Sequence, residues 1–207
     1  MVILDFNLLF YLIVFAFIFS LTMVTLRFKK SSYTIKFYAL LEIYCLVLSK
    51  VVVLPIFILN SHAKKDMLEH VNEKYLYRIQ IMPFRTLIDN ITDFSLYGLI
   101  QIVGNILLLM PLAFTIAWLM NKTNKVFIAL CGLVVTCLIE LIQLIINVIT
   151  SYPCHAVDID DVILNYTGYL IAVLIIWLVK KYNRKSYDKV RRVFLTKLSP
   201  SGKLKNK

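Results

Sequence analysis

The feature that most constrains this chain is a long apolar run near its start. Residues Phe6 to Leu26 carry no charged side chain, and a helix of that length, rising 1.5 Å per residue, crosses a bilayer core of about 30 Å. Four more runs follow at Phe37–Leu59, Ile100–Met120, Val126–Ile149 and Val162–Val179. The sequence therefore predicts an all-α fold, a polytopic membrane bundle of about five transmembrane helices.

The composition excludes the other classes of protein. Of the 207 residues 60% are hydrophobic and 17% are charged, whereas a soluble domain has about 25% charged residues. Five Gly and five Pro are too few for a collagen-like or disordered chain, and four Cys are too few for a disulfide scaffold. The net charge of +11 must therefore be explained within a membrane protein.

The position of the basic residues predicts the topology. Of the 23 Lys and Arg, four follow the first apolar run, two follow the third and eleven lie in the tail from Lys180 onward. The positive-inside bias places these segments in the cytoplasm. We expect a multi-pass protein of the cell membrane with its N-terminus outside and its C-terminus cytoplasmic. Residues 1–180 would form the membrane domain. Residues 181–207 would form a basic tail that contacts anionic lipid headgroups. The expected partner of this tail is therefore the lipid bilayer, and we expect no binding of nucleic acid.

Three charged residues, Glu42, Lys50 and Glu140, lie inside the apolar runs, and two of them lie at a similar depth. Lys50 and Glu140 each lie nine residues before the outer end of their run, which is about 13 Å below the outer edge at 1.5 Å per residue. An intramembrane ion pair between them would lower the cost of placing either charge in lipid. A bridge that only packs helices and a functional pair are equally compatible with this placement.

Glu140 begins a stripe of polar residues along one face of its predicted helix. Gln143 and Asn147 share its helix face, while Asn105 and Asn165 lie in the outer halves of their runs. Lipid offers these groups no hydrogen bonds, so they must face the protein interior or a water-filled cavity. A polar site open to the exterior would explain why these residues lie at a similar depth. The alternative is that their amides form hydrogen bonds between helices and only hold the bundle together.

An acidic segment precedes the last apolar run. It contains Asp158, Asp160 and Asp161. If the helix begins near Asp158, one face carries Asp158, Asp161, Asn165 and Gly168, and Gly168 would admit a close neighbouring helix. Helix capping accounts for one or two of the acids. The cluster could also bind a hard cation, receive a cationic substrate group or supply an acid/base pair. It lacks the spacing of a calcium loop, and His155 lacks a partner at ligand spacing, so we predict no metal and no cofactor.

Residues 84–94 have apolar side chains at helical period. The apolar positions are Phe84, Leu87, Ile88, Ile91 and Phe94. This pattern predicts an amphipathic helix in the outer interface, beginning after Pro83. Its Arg85 would either pair with the acidic segment or bind a phosphate or carboxylate of a substrate.

These motifs, taken in order, resemble the VanZ-like family. They are Pro83-Phe84-Arg85-Thr86, then Gly104-Asn105 with Pro111-Leu112, then Glu140-x-x-Gln143, then Asp158-Ile-Asp160-Asp161 with Asn165 and Gly168. The resemblance covers about residues 80–180, and three positions depart from the family pattern, namely Ala113, His155 and Ala172. It implies a small membrane protein linked to low-level resistance to the glycopeptide teicoplanin.

The candidate polar site combines eight of the residues introduced above. They are Arg85, Asn105, Glu140, Gln143, Asp158, Asp160, Asp161 and Asn165. We favour a non-catalytic surface protein that lowers susceptibility to glycopeptide or lipopeptide antibiotics, with a lipid-linked wall precursor or the glycopeptide as its ligand. An enzyme acting on a lipid-linked wall or phospholipid substrate is the first alternative, although the sequence contains no nucleophile triad, phosphate loop or zinc motif. An ion-coupled carrier is the second, although no internal repeat is visible.

Overall fold

The computed structural model describes residues 2–4, 8–25, 32–58, 79–119 and 124–198. Most of these residues are helical, which confirms the predicted helical membrane class. In chain order the helices are α1 (Leu8–Thr25), α2 (Ser32–Val53), α3 (Arg85–Thr92), α4 (Leu96–Leu108), α5 (Met110–Leu119), α6 (Lys125–Thr150), α7 (Ile159–Tyr182) and α8 (Arg184–Leu198).

Three of the described helical segments are long and apolar enough to cross a membrane. They are Leu96–Ala117, Lys125–Thr150 and Ile159–Tyr182, and they correspond to the last three predicted spans. Helices α1 and α2 cover most of the first two apolar runs. The total of five spans stays a prediction.

The third span is interrupted at Leu109, between α4 and α5. Pro111 explains the interruption, because its ring nitrogen cannot donate to the carbonyl of Leu107 and its ring crowds that carbonyl. The Leu107 carbonyl accepts instead from the N–H of Leu109. The sequence pattern alone predicted one continuous run here.

Two short strand pairings join segments that are distant in sequence. Strand β1 (Val2–Leu4) pairs antiparallel with β2 (Ile56–Ile58), and β3 (Ile79–Gln80) pairs parallel with β4 (Val157–Asp158). Neither was predicted, because two or three residues are too few for an alternating pattern to be visible. The second pairing brings the chain that enters α3 beside the acidic segment.

The chain forms two compact units. The first comprises Met1–Asp5 and Val51–Ile175, and the second comprises Phe6–Lys50 and Ile176–Lys207. All eight residues of the candidate polar site belong to the first unit. The predicted boundary between a membrane domain and a tail at residue 180 stays a prediction.

Small residues set the helix packing within the first unit. A Cβ added at Gly132 of α6 would overlap the ring of Tyr169 of α7, and one added at Gly168 would overlap the backbone carbonyl of Ile106 of α4. Tyr169 is fully buried, and its hydroxyl donates to the Ile128 carbonyl at 2.9 Å. Helix α7 therefore packs closely on both α4 and α6, which confirms the close approach predicted at Gly168.

Candidate functional site

Asp158 stands directly before α7 and caps it. Its side chain accepts the N–H of Asp160 at 2.9 Å, as an N-cap residue does with the first turn of its helix. The other carboxylate oxygen accepts the hydroxyl of Thr86 at 2.5 Å, and the Asp158 N–H donates to Glu140 at 3.0 Å. Asp158 is thus bonded to α3, α6 and α7 at once.

Asp160 caps a different helix, α3. Its two oxygens accept the N–H groups of Phe84 at 2.5 Å and of Leu87 at 3.0 Å. Phe84, the N-cap position of α3, supplies no side-chain cap and has a left-handed backbone with φ of 66°. A carboxylate from α7 therefore satisfies N–H groups that a helix start leaves unpaired.

Asp161 is held by amides of α4. Its carboxylate accepts hydrogen bonds from the side chains of Asn105 and Gln101. Gln101 was not among the predicted site residues, although it lies one helical turn before Asn105 and so shares its face. That spacing was the signal that could have identified it.

Glu140 brings a fourth carboxylate to this place. It is buried, with 8% of its surface exposed, and one of its oxygens accepts the Asp158 N–H. The charges of Asp158 and Asp161 repel it, so the three acids lie near one another. This bond brings the Glu140 side chain to the acidic segment.

Two amide oxygens near these acids have no donor. The Oε1 atom of Gln143 and the Oδ1 atom of Asn165 are buried, and neither has a hydrogen-bond partner in the part of the chain that the structure describes. Only 2% of the surface of Asn165 is exposed. Buried acceptors are normally paired, so such atoms call for an explanation.

Arg85 lies at the start of α3 with an exposed side chain. Within the described ranges it makes no ion pair with Asp158, Asp160 or Asp161, whose oxygens accept hydrogen bonds from other groups. Of its two predicted roles, this arrangement favours binding of an external anion. That role stays a prediction.

Comparison with known proteins identifies the family. The family model described as VanZ/LLP1 matches residues 37–180. This chain belongs to the VanZ/LLP1 family. No curated protein and no solved structure matched the chain.

The family match extends the resemblance drawn from the motifs. It confirms the predicted family over residues 80–180 and reaches back to residue 37, so it includes most of α2 and its Lys50. In this VanZ/LLP1 protein the Lys50 ammonium lies over the ring of Tyr11, 5.6 Å from the ring centre. Lys50 and Glu140 belong to different units, and their ion pair stays a prediction.

The loop between α6 and α7 is fixed by Asn147. Its amide donates to the His155 carbonyl at 2.8 Å, and its side-chain oxygen accepts the His155 N–H at 2.9 Å. The His155 ring nitrogen Nε2 lies 3.1 Å from the Val53 carbonyl. Burial lowers the pKa of His155, and the bond to the Val53 carbonyl partly opposes that effect. Burial therefore favours the uncharged form of this ring.

The site of this VanZ/LLP1 chain is rich in hydrogen-bond acceptors. One carboxylate from α6 and three from the start of α7 and the residue before it lie together, and two of them, Asp158 and Asp160, are engaged in capping. Among the described residues no three His, Cys, Asp or Glu side chains are arranged to hold a metal ion. The arrangement can hold a positive group near Glu140 and Asp161 and an anion at Arg85.

Proposed function

We propose that this protein lowers the susceptibility of its cell to glycopeptide or lipopeptide antibiotics, through an outward-facing acidic and polar site. The observation that carries the proposal is that Asp158, Asp160 and Asp161, at the start of one membrane-crossing helix, lie near Glu140 from the interior of a second in a VanZ/LLP1 protein. Charged groups in such helices are costly and are retained where they act on a ligand or on one another.

The four acids divide into two groups by their contacts. Asp158 and Asp160 use their oxygens to cap helices, so they support the architecture. Glu140 accepts the Asp158 N–H and Asp161 accepts side-chain amides of α4, so neither carboxylate is used to cap a helix among the described residues. We assign ligand binding to the second group, because a cationic group of an antibiotic or of a lipid-linked wall precursor would pair with it.

Arg85 supplies the complementary charge. Its exposed guanidinium adjoins Thr86, which is bonded to Asp158, so a cation and the acidic cluster lie on neighbouring parts of the site. A ligand with both a positive group and a phosphate or carboxylate would use both. Lipid-linked wall precursors carry such phosphates, and we propose them as the ligand class at the cell surface.

The experiment is expression in a susceptible bacterium, with minimal inhibitory concentrations measured for a glycopeptide and a lipopeptide. We expect the wild-type chain to raise them, and Asp161→Asn and Glu140→Gln to return them to the vector level, because each removes one charge with little change of shape. Asp89→Asn is the matched control, since Asp89 is an exposed acid of α3. Immunoblots of membrane fractions establish equal amounts of each variant.

Three results would contradict or redirect this proposal. Full resistance in both site variants would exclude the acidic site, and an unaltered inhibitory concentration for the wild-type chain would exclude the resistance role. A changed set of extracted wall precursors on expression, lost in Asp161→Asn, would indicate the alternative of an enzyme.

A further inference from the structure

Helix α8 begins where the last membrane-crossing helix ends. Only Asn183 separates Tyr182, the last residue of α7, from Arg184, the first residue of α8. The Lys181 ammonium lies over the rings of Trp177 and Tyr182, 5.1 Å and 5.3 Å from their centres. Aromatic and basic side chains at the end of a transmembrane helix lie at the level of the lipid headgroups. Helix α8 therefore starts at that level.

The surface of α8 has three different sides. Tyr187 is buried, with 3% of its surface exposed, so its side of the helix packs against the protein. Val190 and Val193 are one turn apart, and they are 54% and 47% exposed. Lys185 and Lys189 are also one turn apart, and both are exposed. At 3.6 residues per turn, the valine side lies between the buried side and the lysine side.

The charge of α8 is strongly positive. The helix contains six Lys or Arg residues and one acid, Asp188. The carboxylate of Asp188 forms an ion pair with Arg184 of the same helix, at 3.7 Å between its Oδ2 atom and the arginine Nε. A helix with this excess of basic residues attracts an anionic partner.

The valine side identifies the class of that anion. A helix that lies in a membrane interface places its apolar side among the acyl chains, while long basic side chains reach the phosphates. A nucleic acid would contact the lysine side and leave both valines in water. Because α8 starts at the level of the headgroups, a lipid phosphate is also the anion that is present at this place.

We propose that α8 is a binding surface for anionic phospholipids of the leaflet at the C-terminal end of α7. Lys185 and Lys189 contact the lipid phosphates, and Val190 and Val193 contact the acyl chains. The sequence predicted only that a basic tail contacts headgroups, whereas the helix has a defined apolar side beside its basic side. This surface belongs to the second unit, so it does not depend on the acidic site or on the resistance activity proposed above.

The test uses the full-length protein in lipid nanodiscs. The chain has two Trp residues, so Trp118→Phe leaves Trp177, which contacts Lys181, as the only tryptophan. We expect phosphatidylglycerol with brominated acyl chains to quench its fluorescence more strongly than brominated phosphatidylcholine at the same mole fraction, because basic residues enrich anionic lipid nearby. Equal quenching by the two lipids would overturn the proposal.

Charge variants assign this preference to α8. Lys185→Gln and Lys189→Gln together should lower it several-fold, whereas Lys125→Gln, at an exposed basic residue of α6, should leave it unchanged. In about 1 M NaCl charges are screened over about 3 Å, so the wild-type preference should also fall. A preference that survives both the double variant and high salt would overturn the assignment to the lysines. If the double variant is not recovered, an unchanged preference in high salt alone does so.

Tryptophan placed on α8 tests the valine side. In a chain that also carries Trp118→Phe and Trp177→Phe, Val193→Trp should be quenched strongly by brominated acyl chains. Arg192→Trp is the matched control, because it lies one residue earlier and away from the valine side, and it should be quenched less. Equal quenching of the two variants would overturn the contact with acyl chains. Binding of a labelled RNA that the double lysine variant loses, without any lipid preference, would assign the lysine side to nucleic acid instead.

Discussion

At the scale of single residues, the acids of the loop before α7 are individually distinguishable. The sequence predicted that capping would account for one or two of them, and Asp158 caps its own helix as such a residue should. Asp160 instead caps α3, 76 residues away in the chain. Neighbouring carboxylates with the same local propensity therefore have different partners, which were outside the reach of local sequence analysis.

Asp160→Ala should destabilise the protein through loss of this cap. Two N–H groups of α3 would lose a charged acceptor, and hydrogen bonds to charged groups contribute about 1.5–3 kcal/mol. We expect a decrease of that order in the free energy of unfolding in detergent, with a smaller decrease for Asp160→Asn, which keeps one oxygen. Asp89→Ala, at an exposed acid of the same helix, should have little effect. Equal stability of Asp160→Ala and Asp89→Ala would contradict the cap.

At the scale of elements, α3 agrees with its prediction in character and differs in length. Ile88 and Ile91 are about half exposed, as expected of an interfacial helix whose apolar face contacts lipid. The helix covers Arg85–Thr92, whereas the pattern covered 84–94. Phe84 and Phe94 have positive φ values of 66° and 44°, so neither continues the helix. Periodicity identifies the face, but the backbone angles at the ends set the length.

The crossing of α4 and α7 gives a prediction for two glycines. Gly168→Ala should lower the Tm strongly, because the new methyl group would collide with the backbone carbonyl of Ile106, which cannot move aside without shifting α4. Gly104→Ala is the matched control. A Cβ at Gly104 meets no atom within 4 Å, and alanine favours a helix by about 0.8–1 kcal/mol over glycine.

Thermal unfolding of both variants in detergent measures the difference. We expect Gly104→Ala to unfold at or above the wild-type temperature and Gly168→Ala well below it. Similar Tm values for the two variants would mean that α7 does not approach α4 as closely as described.

At the scale of the whole molecule, the charge distribution predicts an orientation that the fold leaves open. The basic tail should lie in the cytoplasm and α3 at the outer surface. A fluorescent protein fused after Lys207 should therefore fluoresce, and alkaline phosphatase fused at the same place should be inactive. Asp93→Cys, at an exposed position after α3, should react with a membrane-impermeant maleimide in whole cells above the wild-type level. An active phosphatase fusion with an unlabelled Asp93→Cys would reverse the orientation and place the acidic site inside.

The sequence by itself determined the helical membrane class and the VanZ/LLP1 family, and it proposed eight residues for the candidate site without Gln101. These depend on composition, on helical period and on short motifs, which can be read locally along the chain. Only the tertiary structure decided which group each polar side chain serves. Asp160 caps α3, Asp161 bonds Asn105, and Asn165 retains an unpaired oxygen. The physical reason is that these assignments depend on which helix ends meet in space, and local propensity carries no information about partners more than 50 residues away.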